Sequence, residues 1–157
     1  IDAQIASIDA EIEGIIEADS ELKRQKELLM SIDGIGERIA INMIAITMGF
    51  TRFENARQFC CFAGLAPYKY DSGTSVRSKA KISKRANQTI KALLHLAAVC
   101  VATHMKEGEY KEYYDRKIKD GKHVMCVLNV IRAKLVHRMF SVIRRDTPYT
   151  KEYKPAS

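Results

Sequence analysis

From Ala92 to Ala102 only His95 interrupts a run of apolar residues. Such a run must be buried, yet it is far short of the roughly 20 residues that cross a bilayer. Ile90, Leu93, Leu94, Ala97, Ala98 and Val101 recur within it at helical spacing. The pattern predicts a helix from Lys84 to about Met105, N-capped by Ser83, as the central buried helix of the fold. The chain beyond it keeps the helical period and is cut by glycines. Residues 55–65 read as a short helix with Phe59, Phe62 and Ala63 on its apolar face, ended by Gly64-Leu65-Ala66-Pro67. Gly108 and Gly121 bracket a charged helix over 109–119 that carries Tyr110, Tyr113 and Tyr114. A long helix follows from His123 to Arg144, with Val127, Val130, Ile131, Leu135, Met139 and Phe140 toward the core. Strand-like alternation is confined to Tyr68-Lys69-Tyr70, which allows a short β-hairpin in the 66–82 loop. The expected fold class is all-α.

The first 29 residues have a narrower pattern. Ile1, Ile5, Ile8, Ile12, Ile15, Leu22 and Leu29 stand at alternating spacings of four and three, with Asp19 and Lys26 filling two seam positions. This is a heptad seam, and it predicts a long coiled-coil helix that pairs with a second copy or with another helix of the same protein. Ile1 falls inside that pattern, so the chain is expected to be a piece of a longer protein. The expected division is a coiled-coil linker and dimerisation helix over 1–29, a helical domain over 30–145 and an extended polar tail over 146–157.

Residues 28–48 contain Ile32-Asp33-Gly34-Ile35-Gly36-Glu37 between two apolar helical stretches, with Ala40 beyond. The order resembles a helix-hairpin-helix motif. Gly34 and Gly36 would let backbone N–H groups at a helix start face a phosphate. The competing reading is an αα-hairpin in which the glycines only permit close packing, because Glu37 would repel an anion at that turn.

One segment is polar where its neighbours are apolar: Asp71-Ser72-Gly73-Thr74-Ser75-Val76-Arg77-Ser78-Lys79, continued to Asn87. Between Tyr68 and Lys91 there are seven Lys/Arg and one acid, Asp71. Gly73 permits a tight turn beside Ser72. A hydroxyl on such a turn, among cations, has what attack on a phosphate backbone requires. A solvated loop that caps the next helix explains the same residues. Serine-rich basic loops are common, so the residues alone favour the capping loop.

Charge points to the kind of partner. Residues 1–33 hold nine acids against three bases, whereas the whole chain has net charge +7. An acidic first helix before a basic body implies an anionic partner for the body, nucleic acid before a membrane surface. Arg132, Lys134, Arg138, Arg144 and Arg145 recur along the last helix as a solvated face or a second backbone-tracking stripe. Cys60, Cys61, Cys100 and Cys126 match no zinc spacing and read as buried, reduced thiols of a cytoplasmic protein. His95, His104, His123 and His137 form no ligand spacing, so no metal site is expected in this chain.

Taken in order, Gly34-Ile35-Gly36, Phe53, Phe59, Gly64-Leu65-Ala66-Pro67, Asp71-Ser72-Gly73, Arg77, Lys79, Ile82-Ser83-Lys84, Asn87, Ile90 and Leu93-Leu94 resemble one family. It is the insertion-sequence transposases that pair a RuvC-like DEDD domain with a C-terminal, serine-bearing transposase domain, the bridge-RNA-guided recombinases among them. The resemblance covers about residues 28–120 of this chain. It implies DNA strand exchange in which Ser72 attacks a phosphate and forms a phosphoserine linkage, with Ser75 as the alternate. Arg77, Lys79, Lys81, Lys84 and Arg85 would contact phosphates. Mg2+ would be held by carboxylates of an N-terminal domain absent from this chain, which would be inactive by itself. The family often has glycine where this chain has Ser78 and Ala86, which leaves the loop's register open. DNA is the implied partner, with a guide RNA admitted, a homo-oligomer through the coiled coil, no membrane and a cytoplasmic, nucleoid-associated location. The alternative is a non-catalytic DNA- or RNA-binding and dimerisation module.

Overall fold

In the computed structural model, residues 1–65 and 88–151 are described, and among them every regular element is helical. The chain divides into two compact units, Ile1–Arg52 with Met139–Ser157, and Phe53–Arg138.

The first unit begins with α1 (Asp2–Ala18) and α2 (Ser20–Met30). The heptad pattern predicts one continuous helix here, but the chain breaks at Asp19. That residue is extended, and its carboxylate accepts the N–H groups of Glu21 at 2.9 Å and Leu22 at 3.1 Å. Asp19 is therefore an N-cap, which satisfies donors that an uninterrupted helix would have bonded internally. α1 buries only Ile16, while Ile1, Ile5, Ile8 and Ile15 are 93%, 50%, 56% and 64% exposed. α2 packs between α1 and α3 (Glu37–Thr47). Leu28, Leu29, Ile32, Ile35, Ala40 and Met43 form the core of this hairpin. Full burial of each leucine is worth about 1.5–3 kcal/mol.

α3 ends in three consecutive left-handed residues, Met48, Gly49 and Phe50. The buried Thr47 organises that end. Its hydroxyl donates to the Met43 carbonyl at 2.6 Å and accepts the Phe50 N–H at 3.0 Å. Gln25 of α2 donates to the Gly49 carbonyl at 3.1 Å. Phe50 meets the Phe140 ring edge-on, with centroids 5.0 Å apart. The polar stretch after the last helix returns to the hairpin: the Tyr149 N–H donates to Ser31 Oγ at 2.8 Å, and Lys151 pairs with Asp33 at 3.3 Å.

The second unit opens with Phe53, whose ring contacts those of Phe59 and Phe62 on α4 (Ala56–Phe62). Asn55 caps α4 by accepting the Gln58 N–H at 3.0 Å, and Gln58 returns a bond to the Glu54 N–H. At the other end Gly64 takes φ 68°. The N–H of Leu65 reaches the Cys60 carbonyl and that of Gly64 the Cys61 carbonyl, a Schellman closure.

α5 (Gln88–Val99) widens into a π-helical turn over Cys100–His104. Ile90, Leu94, Ala97, Ala98, Val101 and Ala102 are buried, but Leu96 is 63% exposed. The helix thus buries one face only. Its alanines make that face narrow enough for close packing and leave the opposite side uncovered.

α6 (Glu109–Lys119) starts after Gly108 and stops before Gly121, as the sequence predicts. α7 runs from Val124 to Arg145, and the His123 ring accepts the Met125 N–H at its start. Val127, Ile131, Leu135, Met139 and Phe140 are buried as expected, whereas Val130 faces outward.

Candidate nucleic-acid interface

Ser72, Ser75, Arg77, Lys79, Lys81, Lys84 and Arg85 lie outside the described residues, as does the hairpin expected in 66–82. The structure does describe the helices from which that segment leaves and to which it returns. On the entry side Leu65 is buried, and the Asn129 side chain of α7 donates to its carbonyl at 2.9 Å. On the exit side α5 is described from Gln88 onward, and the expected start at Lys84 with its Ser83 cap lies outside the described residues.

The two hairpin glycines are described, and they differ. Gly34 takes φ 82°, a left-handed conformation that a side chain would strain. Gly36 is the N-cap of α3 at φ −86°, ψ 174°, with no side-chain cap. A Cβ built on it would meet nothing within 4 Å. Gly36, Glu37 and Arg38 are all exposed, so the first turn of α3 meets solvent, and a helix start of this kind favours an anion.

Glu37 stands in that first turn, but its carboxylate is drawn aside. Lys26 Nζ is 2.5 Å from Glu37 and 3.5 Å from Glu17. The Glu37 hydrogen bond raises the Lys26 pKa against the opposing effect of burial, with Glu17 adding to it. Glu17 has its pKa lowered, chiefly by its hydrogen bond to Lys23 at 2.9 Å. Read from the heptad pattern, Lys26 is a polar interruption of a seam. In the fold it joins α1, α2 and α3 and offsets the acid beside the open turn.

The bases of α7 do not form one stripe. Arg138 donates to Glu109 at 2.7 Å and lies over the Tyr110 ring. Lys134 sits over the Tyr113 ring, 4.8 Å from its centroid, and Arg116 approaches the same ring. Arg144 and Arg145 are exposed, and Arg132 is buried. The faces of Tyr110 and Tyr113 are thus occupied by these cations. The signal that separates Arg132 from its neighbours is readable in hindsight: it falls on the apolar face of Leu128 and Leu135, four and three residues away.

All four cysteines are free, but they are not all buried. Cys60 is sealed, and burial, with a smaller contribution from Cys61, pushes its pKa up to about 12. Cys100 and Cys126 are exposed, because they fall on the outward faces of their helices. Among the described residues no three His, Cys, Asp or Glu side chains converge to hold a metal ion. No described helix is long and apolar enough to cross a membrane.

Residues 26–115 match the family model described as the Transposase IS116/IS110/IS902 family. The chain is 26% identical over 147 residues to the pilin gene-inverting protein of Moraxella lacunata, covering 94% of this chain and 45% of that protein. It is 28% identical over 147 residues to the insertion element IS110 43.6 kDa protein of Streptomyces coelicolor, covering 93% of this chain and 34% of that one. It is 25% identical over 151 residues to the insertion element IS116 44.8 kDa protein of Streptomyces clavuligerus, covering 96% of this chain and 36% of that one. The chain thus spans less than half the length of each of these relatives.

Proposed function

Because the chain belongs to the IS116/IS110/IS902 transposase family, we propose that it is the C-terminal part of a DNA transposase or recombinase. It binds DNA and supplies a serine nucleophile for strand exchange. The observation that carries this reading is the family match across 26–115, which brackets the Asp71–Lys79 segment. The Ser72 hydroxyl gives up its proton as Oγ forms the new bond to phosphorus, the bond from phosphorus to the leaving strand's oxygen breaks, and that oxygen takes up a proton. Ser75 is the alternate nucleophile. Arg77, Lys79, Lys81, Lys84 and Arg85 neutralise the phosphates on either side, and the open helix start at Gly36 takes a further backbone phosphate. The metal-dependent half of the reaction, with its Mg2+, belongs to an N-terminal domain outside this chain, and a guide RNA can share the basic surface. Acting on DNA, the protein works in the cytoplasm at the nucleoid.

Covalent trapping tests this. The intact protein is incubated with nicked suicide DNA and the protein–DNA adduct is resolved by denaturing electrophoresis. Ser72→Ala should abolish the adduct while DNA binding persists, and Ser75→Ala should retain it. An adduct that survives in Ser72→Ala and disappears in Ser75→Ala moves the nucleophile to Ser75. Survival in both rejects the serine mechanism.

The uncovered isoleucines of α1 favour a second reading, a DNA- or RNA-binding and dimerisation module without a nucleophile. In that case neutral substitutions at Lys79, Lys84 and Arg85 abolish binding, whereas Ser72→Ala has no effect on transposition.

A further inference from the structure

Arg132 lies in the middle of α7 and is 4% exposed. Leu128, Leu135 and Val136, which share its helix face, are buried as well. Its Nε has no hydrogen-bond partner, and among the described residues no carboxylate pairs with the guanidinium. Burial, with no opposing charge, pushes its pKa below the usual value. An arginine side chain nonetheless stays cationic near neutral pH. A buried, unpaired cation costs stability that an apolar side chain of the same length would not.

Its neighbours on the same helix are treated differently. Arg138 has Glu109 and the Tyr110 ring, and Lys134 has the Tyr113 ring. One turn before Arg132, the Asn129 amide is satisfied by the Leu65 carbonyl at 2.9 Å. Among the described residues, the second unit therefore gives partners to the more accessible cations of α7 and no carboxylate to its most buried one. The guanidinium is a planar fork of five donors, matched to the paired oxygens of a phosphate.

We propose that Arg132 is a phosphate-binding residue, which takes one backbone phosphate of the DNA as the strand seats on the second unit. The inference rests on the DNA-binding reading above, but not on which residue is the nucleophile. It assigns a task to a residue that family membership alone does not single out.

The test compares the intact wild-type protein with its Arg132→Met, Arg132→Lys and Ser72→Ala variants. Duplex DNA binding is followed by fluorescence anisotropy across a salt series, and each variant is melted. For Arg132→Met, the slope of log affinity against log salt should fall by about one, the loss of one phosphate contact. Its melting temperature should be unchanged or higher, because an apolar side chain replaces an unpaired charge. Arg132→Lys should restore the slope with weaker binding. A wild-type slope in Arg132→Met overturns the proposal. So does a reduced slope accompanied by a lower melting temperature, which would assign Arg132 to a carboxylate elsewhere in the intact protein. If Ser72→Ala still forms the covalent adduct while Arg132→Met loses its slope, only the nucleophile assignment fails. If the wild type shows no salt-dependent DNA binding, both proposals fail.

Discussion

Lys26 Nζ stands 2.5 Å from Glu37 Oε1, so the penultimate turn of α2 is tied to the first turn of α3. The ammonium group is largely sheltered, with its side chain 12% exposed, and it also reaches Glu17 of α1. One cation thus links three helices and withdraws negative charge from the open turn at Gly36.

Lys26→Met should lower the stability of the first unit by about 1 kcal/mol, toward the upper end for a partly exposed ion pair acting in a network. The pH dependence follows from two opposite shifts. The Lys26 pKa is raised from 10.5, so its contribution is fully present below that pH and is lost as pH rises through the higher folded value. The Glu17 pKa is lowered from 4.5, so its contribution is present above that pH and is lost as pH falls through the lower folded value. Thermal melts of wild type and Lys26→Met should therefore differ most in the neutral range and converge toward both extremes. If Gly36 meets a phosphate, Lys26→Met also weakens DNA binding and a second change, Glu37→Gln, restores it.

Gly34 and Gly36 should respond in opposite ways to alanine. Gly34→Ala places a side chain at φ 82° and should cost about 1–2 kcal/mol in melting experiments. Gly36→Ala has an ordinary φ of −86° and open space around the added methyl, so the melting temperature should stay within about 2 °C of wild type. DNA affinity should nevertheless fall in Gly36→Ala, since the methyl stands where the phosphate would approach. Unchanged affinity would reduce the turn to a packing device.

Asn129→Ala removes the side-chain donor to the Leu65 carbonyl, at the end of α4. Leu65 is buried, so the abandoned carbonyl should cost about 1–3 kcal/mol. Urea denaturation measures the loss. Asn129→Asp should be worse, because a carboxylate would face the carbonyl oxygen.

Thiol labelling should sort the cysteines into classes. Cys100 and Cys126 are exposed and should react with maleimide in the folded protein. Cys60, with its pKa pushed up to about 12, should react only after denaturation. Mass spectrometry of tryptic peptides before and after unfolding would show it, and labelling of Cys60 under native conditions would contradict its burial.

Much of the fold was legible in local pattern. The glycines at 108 and 121 bracket α6, Gly64 closes α4 in a left-handed turn, and α3 begins directly after Gly36. Each boundary depends on residues within one helical turn, and such chemistry is readable along the chain. The basic serine segment is equally plain as composition, although its residues lie outside those described.

What resisted reading were the polar residues embedded in apolar patterns. Asp19 and Lys26 look like interruptions of a seam and Arg132 like part of a solvated basic face, yet they become a helix cap, a three-helix clasp and a buried cation that no carboxylate among the described residues pairs. Cys100, Leu96 and Val130 look like core and are exposed. The sequence by itself determined that this chain is helical, where most helices stop and that its body is basic, because propensity, glycine punctuation and net charge act locally or additively. Only the tertiary structure decided which charges are paired and which apolar faces are covered. Those outcomes depend on neighbours far away in sequence, and a polar group's cost or benefit is set by the partner that folding brings to it.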